Sequence, residues 1–244
     1  MNPQAESHGQ HISQQFNAAL EDIKNHMLEM GGAVEKQVTD ALLSITSADS
    51  GLASEVLVEE NNIDALEIKI DEECNLILAR RQPAASDLRL VLAIIKTVRD
   101  LERIGDESAK IARMAIKLTE EGDFPEGIIE FRHLGDRVAR MVSMALDAFA
   151  RYDASAALEI AQDDIIVDNE YGSAMRSLIT YMMEDPRSIS RMLNLLWALR
   201  ALERIGDHAK NISEHVIYLV KGMDVRHAPL DNVAEEIARS DQTF

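Results

Sequence analysis

From Phe16 onward the apolar residues return every three or four positions: Leu20, Ile23, Met27, Met30, Val34, Val38 and Leu42. That spacing lines one face of a 3.6-residue helix and predicts a first helix over about 13–47, preceded by a flexible 1–12. The same pattern predicts helices over about 51–80, 86–121, 126–152, 155–184 and 187–221. Breaks fall at SADSG, QPAAS, EGDFPEG and EDPRS. In the last of these Pro186 suits a helix start, with Asp185 placed to cap the free N–H groups. Residues 223–244 form a polar tail containing Pro229, with one short helix expected from about Leu230 and a frayed end.

The two halves of this pattern superpose. An offset of 104 pairs Gly31 with Gly135, Val34 with Val138, Val38 with Val142 and Leu42 with Leu146. It also pairs Glu60 with Asp164, Ile63 with Val167 and Asp64 with Asp168. Past QPAAS the offset falls to 101, so the first half carries three extra residues at that turn. Each half reads helix–helix–helix with short connections, which makes neighbours antiparallel. The expected fold is all-α: two tandem, similar three-helix bundles over 1–122 and 123–222.

Composition supports a helical core. Hydrophobic residues make up 46%, aromatics only 4%, and glycine (11) and proline (5) are scarce, so packing rests on Leu, Ile, Val, Ala and Met. The net charge of -18 disfavours nucleic acid and anionic membrane surfaces, and favours cations and basic protein surfaces. Cys74 is the single cysteine, in apolar sequence, and reads as an inert buried thiol of a reducing compartment. The N-terminus has neither a basic nor an apolar export region, and no apolar run reaches spanning length. A cytoplasmic protein with no membrane insertion is expected.

One hexapeptide, LERIGD, occurs twice, in RDLERIGDESAKI and RALERIGDHAKNI. Its Glu and Asp are four apart and share a helix face beside the apolar stripe. Folding the second and third helices into a hairpin sets Glu60 opposite Asp106 and Asp64 opposite Glu102. The second half likewise sets Asp164 opposite Asp207 and Asp168 opposite Glu203. Four converging carboxylates repel unless they take up protons or a cation. Oxygen-only ligands suit Mg²⁺, Mn²⁺, Ca²⁺ or oxidised iron. Gly105 and Gly206 would each cost about 1 kcal/mol inside a helix and are useful where a neighbour approaches closely. The plainer alternative is a solvated face, with Asp106 paired to Lys110 and Glu102 to Arg99. GxGxxG, P-loop, GxSxG and CxxC motifs are missing. Glu130 and His133 form a lone ExxH, read as a surface histidine, while Met192, Leu193 and Trp197 read as core.

QPAASDLR running into LERIGD, followed by LERIGDHAKNI, resembles the PhoU family of phosphate-signalling regulators, from Phe16 to about Met223. The resemblance implies paired three-helix bundles, metal cations (Mg, Mn, Fe or Zn) and no enzymatic activity. It also implies a cytoplasmic repressor of the phosphate-starvation response, with three partners: the ATPase subunit of the phosphate ABC transporter, a sensor histidine kinase and a second copy of the chain. By motif the implied metal ligands are Glu60, Asp64, Glu102, Asp106, Asp164, Asp168, Glu203, Asp207 and Asn211. Lys110 stands where the family often has Asn, so its ammonium is expected to weaken the first cluster. A metal-dependent phosphatase or oxidase and a passive helical scaffold are the competing readings.

Overall fold

The structure, a computed structural model, describes residues 3–83, 85–122, 127–226 and 228–241. Its elements are α1 (Pro3–Thr46), α2 (Ser50–Arg81), α3 (Ala85–Glu121), α4 (Ile128–Arg151), α5 (Ala154–Glu184), α6 (Ile189–Lys221) and α7 (Leu230–Asp241), with a 3-10 turn at Pro186–Ser188 ahead of α6. Among the described residues there is no strand. Helix α1 begins at Pro3 rather than Ser13, since 4–12 contain no proline and one glycine, and proline suits a first helical turn. Part of the EGDFPEG break, 123–126, lies outside the described residues.

Helices α1, α2 and α3 pack on one another as one bundle, and α4, α5 and α6 as the second. The bundles join along two seams, α3 against α6 and α1 against α4. The duplication read at an offset of 104 is physical. Asp49 caps α2 by accepting from the Leu52 N–H, and Asp153 caps α5 by accepting from Ser155 and Ala156. The α1–α4 seam is reciprocal as well. A Cβ on Gly31 would lie 2.5 Å from a methyl of Leu146, and one on Gly135 would lie 2.4 Å from a methyl of Leu42. Each bundle thus seats a leucine on the other's glycine, and close helix approach is why those positions carry no side chain.

The core is mainly aliphatic, with Met27, Met30, Ile63, Ile94 and Leu101 in the first bundle and Leu178 and Leu199 beside the aromatic Phe131 and Phe149 in the second. Cys74 is fully buried, and that burial pushes its thiol up to about 12. Met192 is core as expected, but Leu193 is 44% and Trp197 62% exposed, because they fall on the outer side of α6 from buried Leu195, Ala198 and Leu199. Helix α7 turns back onto α5 with Val233 and Ile237 buried, so the tail is partly packed. Among the described residues no helix is long and apolar enough to cross a membrane.

Candidate functional site

Both LERIGD copies sit where α3 and α6 run antiparallel at the centre of the molecule, each flanked by the middle helix of its own bundle. Gly105 admits the Gln37 amide oxygen, 3.2 Å from where a Cβ would stand, together with Ile63. Gly206 admits Val167 at 3.3 Å. The glycines therefore let α2 and α5 lie close enough for their acids to meet the Glu and Asp of the motif.

In the first cluster Glu102 is held above its ordinary range by burial first, then by the charge of Asp106, with Glu67 and Asp64 adding to it. Asp64 is near enough to Glu102 for its charge to act on it. Glu60 does not join: Arg113 Nη2 donates to it at 2.9 Å, drawing it away from Asp106. Glu67, which the sequence reading missed, acts on Glu102 from one helical turn beyond Asp64 on α2. Arg103 bridges the motif itself, 3.3 Å from Glu102 and 3.0 Å from Asp106. Neither Lys110 nor Arg99 supplies these pairs.

In the second cluster Asp164, Asp168, Glu203 and Asp207 do come together. Glu203 is raised by burial and then by Asp207, Asp168 and Asp164. Asp207 is raised by loss of hydration and then by Asp164 and Asp168. Two oxygens here are buried without a partner, Asp164 Oδ1 and Glu203 Oε2. Other oxygens are compensated within the chain: Lys210 Nζ donates to Asp164 Oδ2 at 2.6 Å, and Arg200 Nη1 to Glu203 Oε1 at 2.7 Å.

This reverses the expectation about the lysines. Lys110 turns from the first cluster to Glu107 at 2.9 Å, and Arg204 reaches the same carboxylate from α6 at 2.8 Å. The reason is the stronger demand of Glu107, which is 2% exposed at the seam and must be paired. The lysine that enters a cluster is Lys210, in the second. Asn211 also leaves its expected place, and its Nδ2 donates to Asp100 Oδ1 at 3.1 Å.

Asp100 is the centre of a network that the sequence reading missed. His208 Nδ1 lies 2.8 Å from one oxygen and His215 Nε2 2.9 Å from the other. Burial pulls Asp100 upward, but the hydrogen bonds from His208, His215 and Asn211 outweigh it and hold the carboxyl at about 2. The spacing of His208, Asn211 and His215 on α6, steps of three and four, was the available signal, since it puts all three on one face.

Among the described residues, no group of three or more His, Cys, Asp or Glu side chains already stands in an arrangement that could hold a metal ion. The second cluster nevertheless has the donor chemistry for one. Its unpartnered oxygens are hard anionic ligands, and its carboxyls are raised by burial first and then by one another's charge, a repulsion that a cation would relieve.

Comparison with known proteins agrees with this architecture. The PhoU domain family model matches residues 27–115 and 131–216, one match per bundle. The chain is 63% identical over 227 residues to the "Phosphate-specific transport system accessory protein PhoU homolog" of Pseudomonas aeruginosa, covering 93% of this chain and 94% of that one. It is 45% identical to the Escherichia coli K12 "Phosphate-specific transport system accessory protein PhoU", covering 95% of each. The crystal structure of PhoU from Pseudomonas aeruginosa superposes with a TM-score of 0.84 at 62% identity, covering 85% of this chain and all of that one. The Streptococcus pneumoniae "phosphate transport system regulatory protein PhoU" gives 0.79 at 31% identity, covering 86% and 99%. With a duplicated three-helix scaffold and a family match in each half, the chain belongs to the PhoU family.

Proposed function

We propose that this protein is a non-enzymatic cytoplasmic regulator of phosphate transport. In this reading it couples the ATPase subunit of the phosphate ABC transporter to a sensor histidine kinase and holds the phosphate-starvation response off when phosphate is plentiful. The observation that carries the reading is the 63% identity, across 94% of its length, to a relative named as an accessory protein of the phosphate-specific transport system. A net charge of -18 supports docking on basic protein surfaces, an attraction that salt weakens. The test is a strain lacking this protein and carrying a starvation-gene reporter. The reporter stays on at ample phosphate and falls silent when the chain is restored; a reporter already silent in the deletion strain contradicts the reading.

The carboxylate clusters are proposed to bind an oxygen-seeking cation, with Asp164, Asp168, Glu203 and Asp207 as the better ligand set and Asp64, Glu67, Glu102 and Asp106 as the poorer. The cation's positive charge would offset carboxylate repulsion and tie α5 to α6. Two unpartnered buried oxygens in the second set and none in the first support that ranking. The alternative reading, a metal-dependent phosphatase or oxidase, predicts turnover of model phosphoesters by the metal-loaded protein, and the adaptor reading predicts none. A homodimer is part of the proposal, and light scattering should give a mass well above the 27.2 kDa of one chain.

A further inference from the structure

The duplication allows each bundle to be checked against the other for what has been added or removed. On the α1–α2 side of the first bundle, His26 Nδ1 meets Glu73 at 2.7 Å, and Lys69 Nζ lies 3.4 Å from the other ring nitrogen. A primary ammonium of the chain itself therefore lies at the outer edge of the contact between those helices, on an exposed side chain. At the offset of 104 the second bundle carries Glu130 for His26, Ser173 for Lys69, Ala174 for Ile70 and Ser177 for Glu73. Three large side chains have become small, and a cleft of about 400 Å³ opens between α4 and α5 at that place.

The lining of this cleft is rich in acceptors. Glu130 is half-buried and has no ion pair or hydrogen bond among the described residues. Asn169 spends its N–H on the carbonyl of Ile165 at 2.8 Å, so its side-chain oxygen is left to accept. Ser173 and Ser177 add hydroxyls, His133 adds an imidazole one turn from Glu130, and Leu134, Ala174 and Ile166 supply an apolar wall. The cleft's other carboxylate, Glu170, is already neutralised by Arg137 at 2.9 Å. Arg176 donates to Ser173 along α5 at 2.9 Å without lining the cleft.

We propose that the α4–α5 cleft binds a primary ammonium on a short aliphatic chain, next to the position where Lys69 reaches His26 in the first bundle. The ammonium's three donors meet Glu130 and neighbouring oxygens, and its methylenes lie on Leu134 and Ala174. A free diamine and a lysine side chain of another protein share this chemistry. Calorimetric titration of the full-length protein with putrescine, and separately with a short lysine-bearing peptide, distinguishes the two sources.

One or the other should bind with a single equivalent per chain. Ser173→Lys, which places an ammonium at the position equivalent to Lys69 beside the cleft, should abolish that binding, and Glu130→Gln should weaken it roughly tenfold, as expected for one charge-assisted contact. Butanol, with the aliphatic body and no charge, should not bind. Circular dichroism melting of both variants confirms that the bundle is intact. Failure of both probes to bind the parent overturns the proposal. So does amine binding that survives Ser173→Lys and is lost in Asp207→Asn, which would put the amine on the carboxylate cluster instead.

Discussion

The two bundles are nearly interchangeable where they carry the fold and distinct where they carry charge. Gly31 and Gly135 receive Leu146 and Leu42 in mirrored fashion, and Asp49 and Asp153 cap equivalent helices. Around the two LERIGD copies the agreement ends. The first cluster is neutralised by arginines, with Arg103 astride Glu102 and Asp106 and Arg113 removing Glu60. The second keeps four acids together against Lys210 and Arg200 and leaves two buried oxygens unpartnered. Packing is set by shape, so a duplicated helix must keep its small residues. Charge at a solvent-facing seam can drift one side chain at a time without loss of the bundle.

The largest expected effect concerns the seam where that symmetry is weakest. Asp100 accepts hydrogen bonds from His208, Asn211 and His215, and Asp100→Ala would leave buried His215 and half-buried His208 and Asn211 without that partner. A loss of about 3 kcal/mol in urea unfolding is expected. The pH dependence has a definite sign. A carboxyl held at about 2 in the folded chain, below its unfolded value, contributes stability that is present above pH 4 and lost as pH falls toward 2. Stability measured from pH 5 to 2 should fall more steeply for the parent than for Asp100→Asn.

A smaller pair tests the mirrored packing. Gly31→Ala and Gly135→Ala both press a methyl into a leucine and should destabilise by about 1–2 kcal/mol each, equally within error. Gly32→Ala is the internal control. Nothing lies within 4 Å of its added Cβ, so it should stabilise by up to about 1 kcal/mol through helix propensity alone. Unequal losses at 31 and 135 would show that the duplication does not reach the energetics.

The helices, their order and the repeat offsets were legible in the sequence because apolar spacing and burial are the same fact seen twice: Ile23, Met27, Met30, Val34 and Val38 are all buried. The acids were half legible. Motif spacing placed Asp64 with Glu102 and Asp164 with Asp207, but spacing says nothing about which arginine or lysine will reach them. Long cationic side chains span a full turn, and their choice depends on which carboxylate is most buried. Glu107 claimed Lys110 for that reason, and Asp100 claimed Asn211. Trp197 was misplaced because an aromatic on a helix adjoining core residues reads as core, whereas it falls on the side of α6 facing away from buried Leu195, Ala198 and Leu199.

The same difference in charge gives the sharpest contrast. Lys210→Met removes the ammonium from Asp164 and should raise cation affinity at the second cluster by roughly tenfold, about 1.4 kcal/mol. Lys110→Met frees only Glu107 and should leave affinity unchanged. Because Glu203 and Asp207 are raised above their ordinary values and must lose their protons to ligate, affinity should also climb as pH rises just above the usual carboxylate range.

The most direct measurement is a Mn²⁺ titration of the metal-free, full-length protein beside Asp164→Asn and Asp106→Asn. The tightest site should vanish in Asp164→Asn and persist in Asp106→Asn, because the unpartnered oxygens belong to the second cluster. Identical titrations for the parent and Asp164→Asn would show that the second LERIGD builds no cation site.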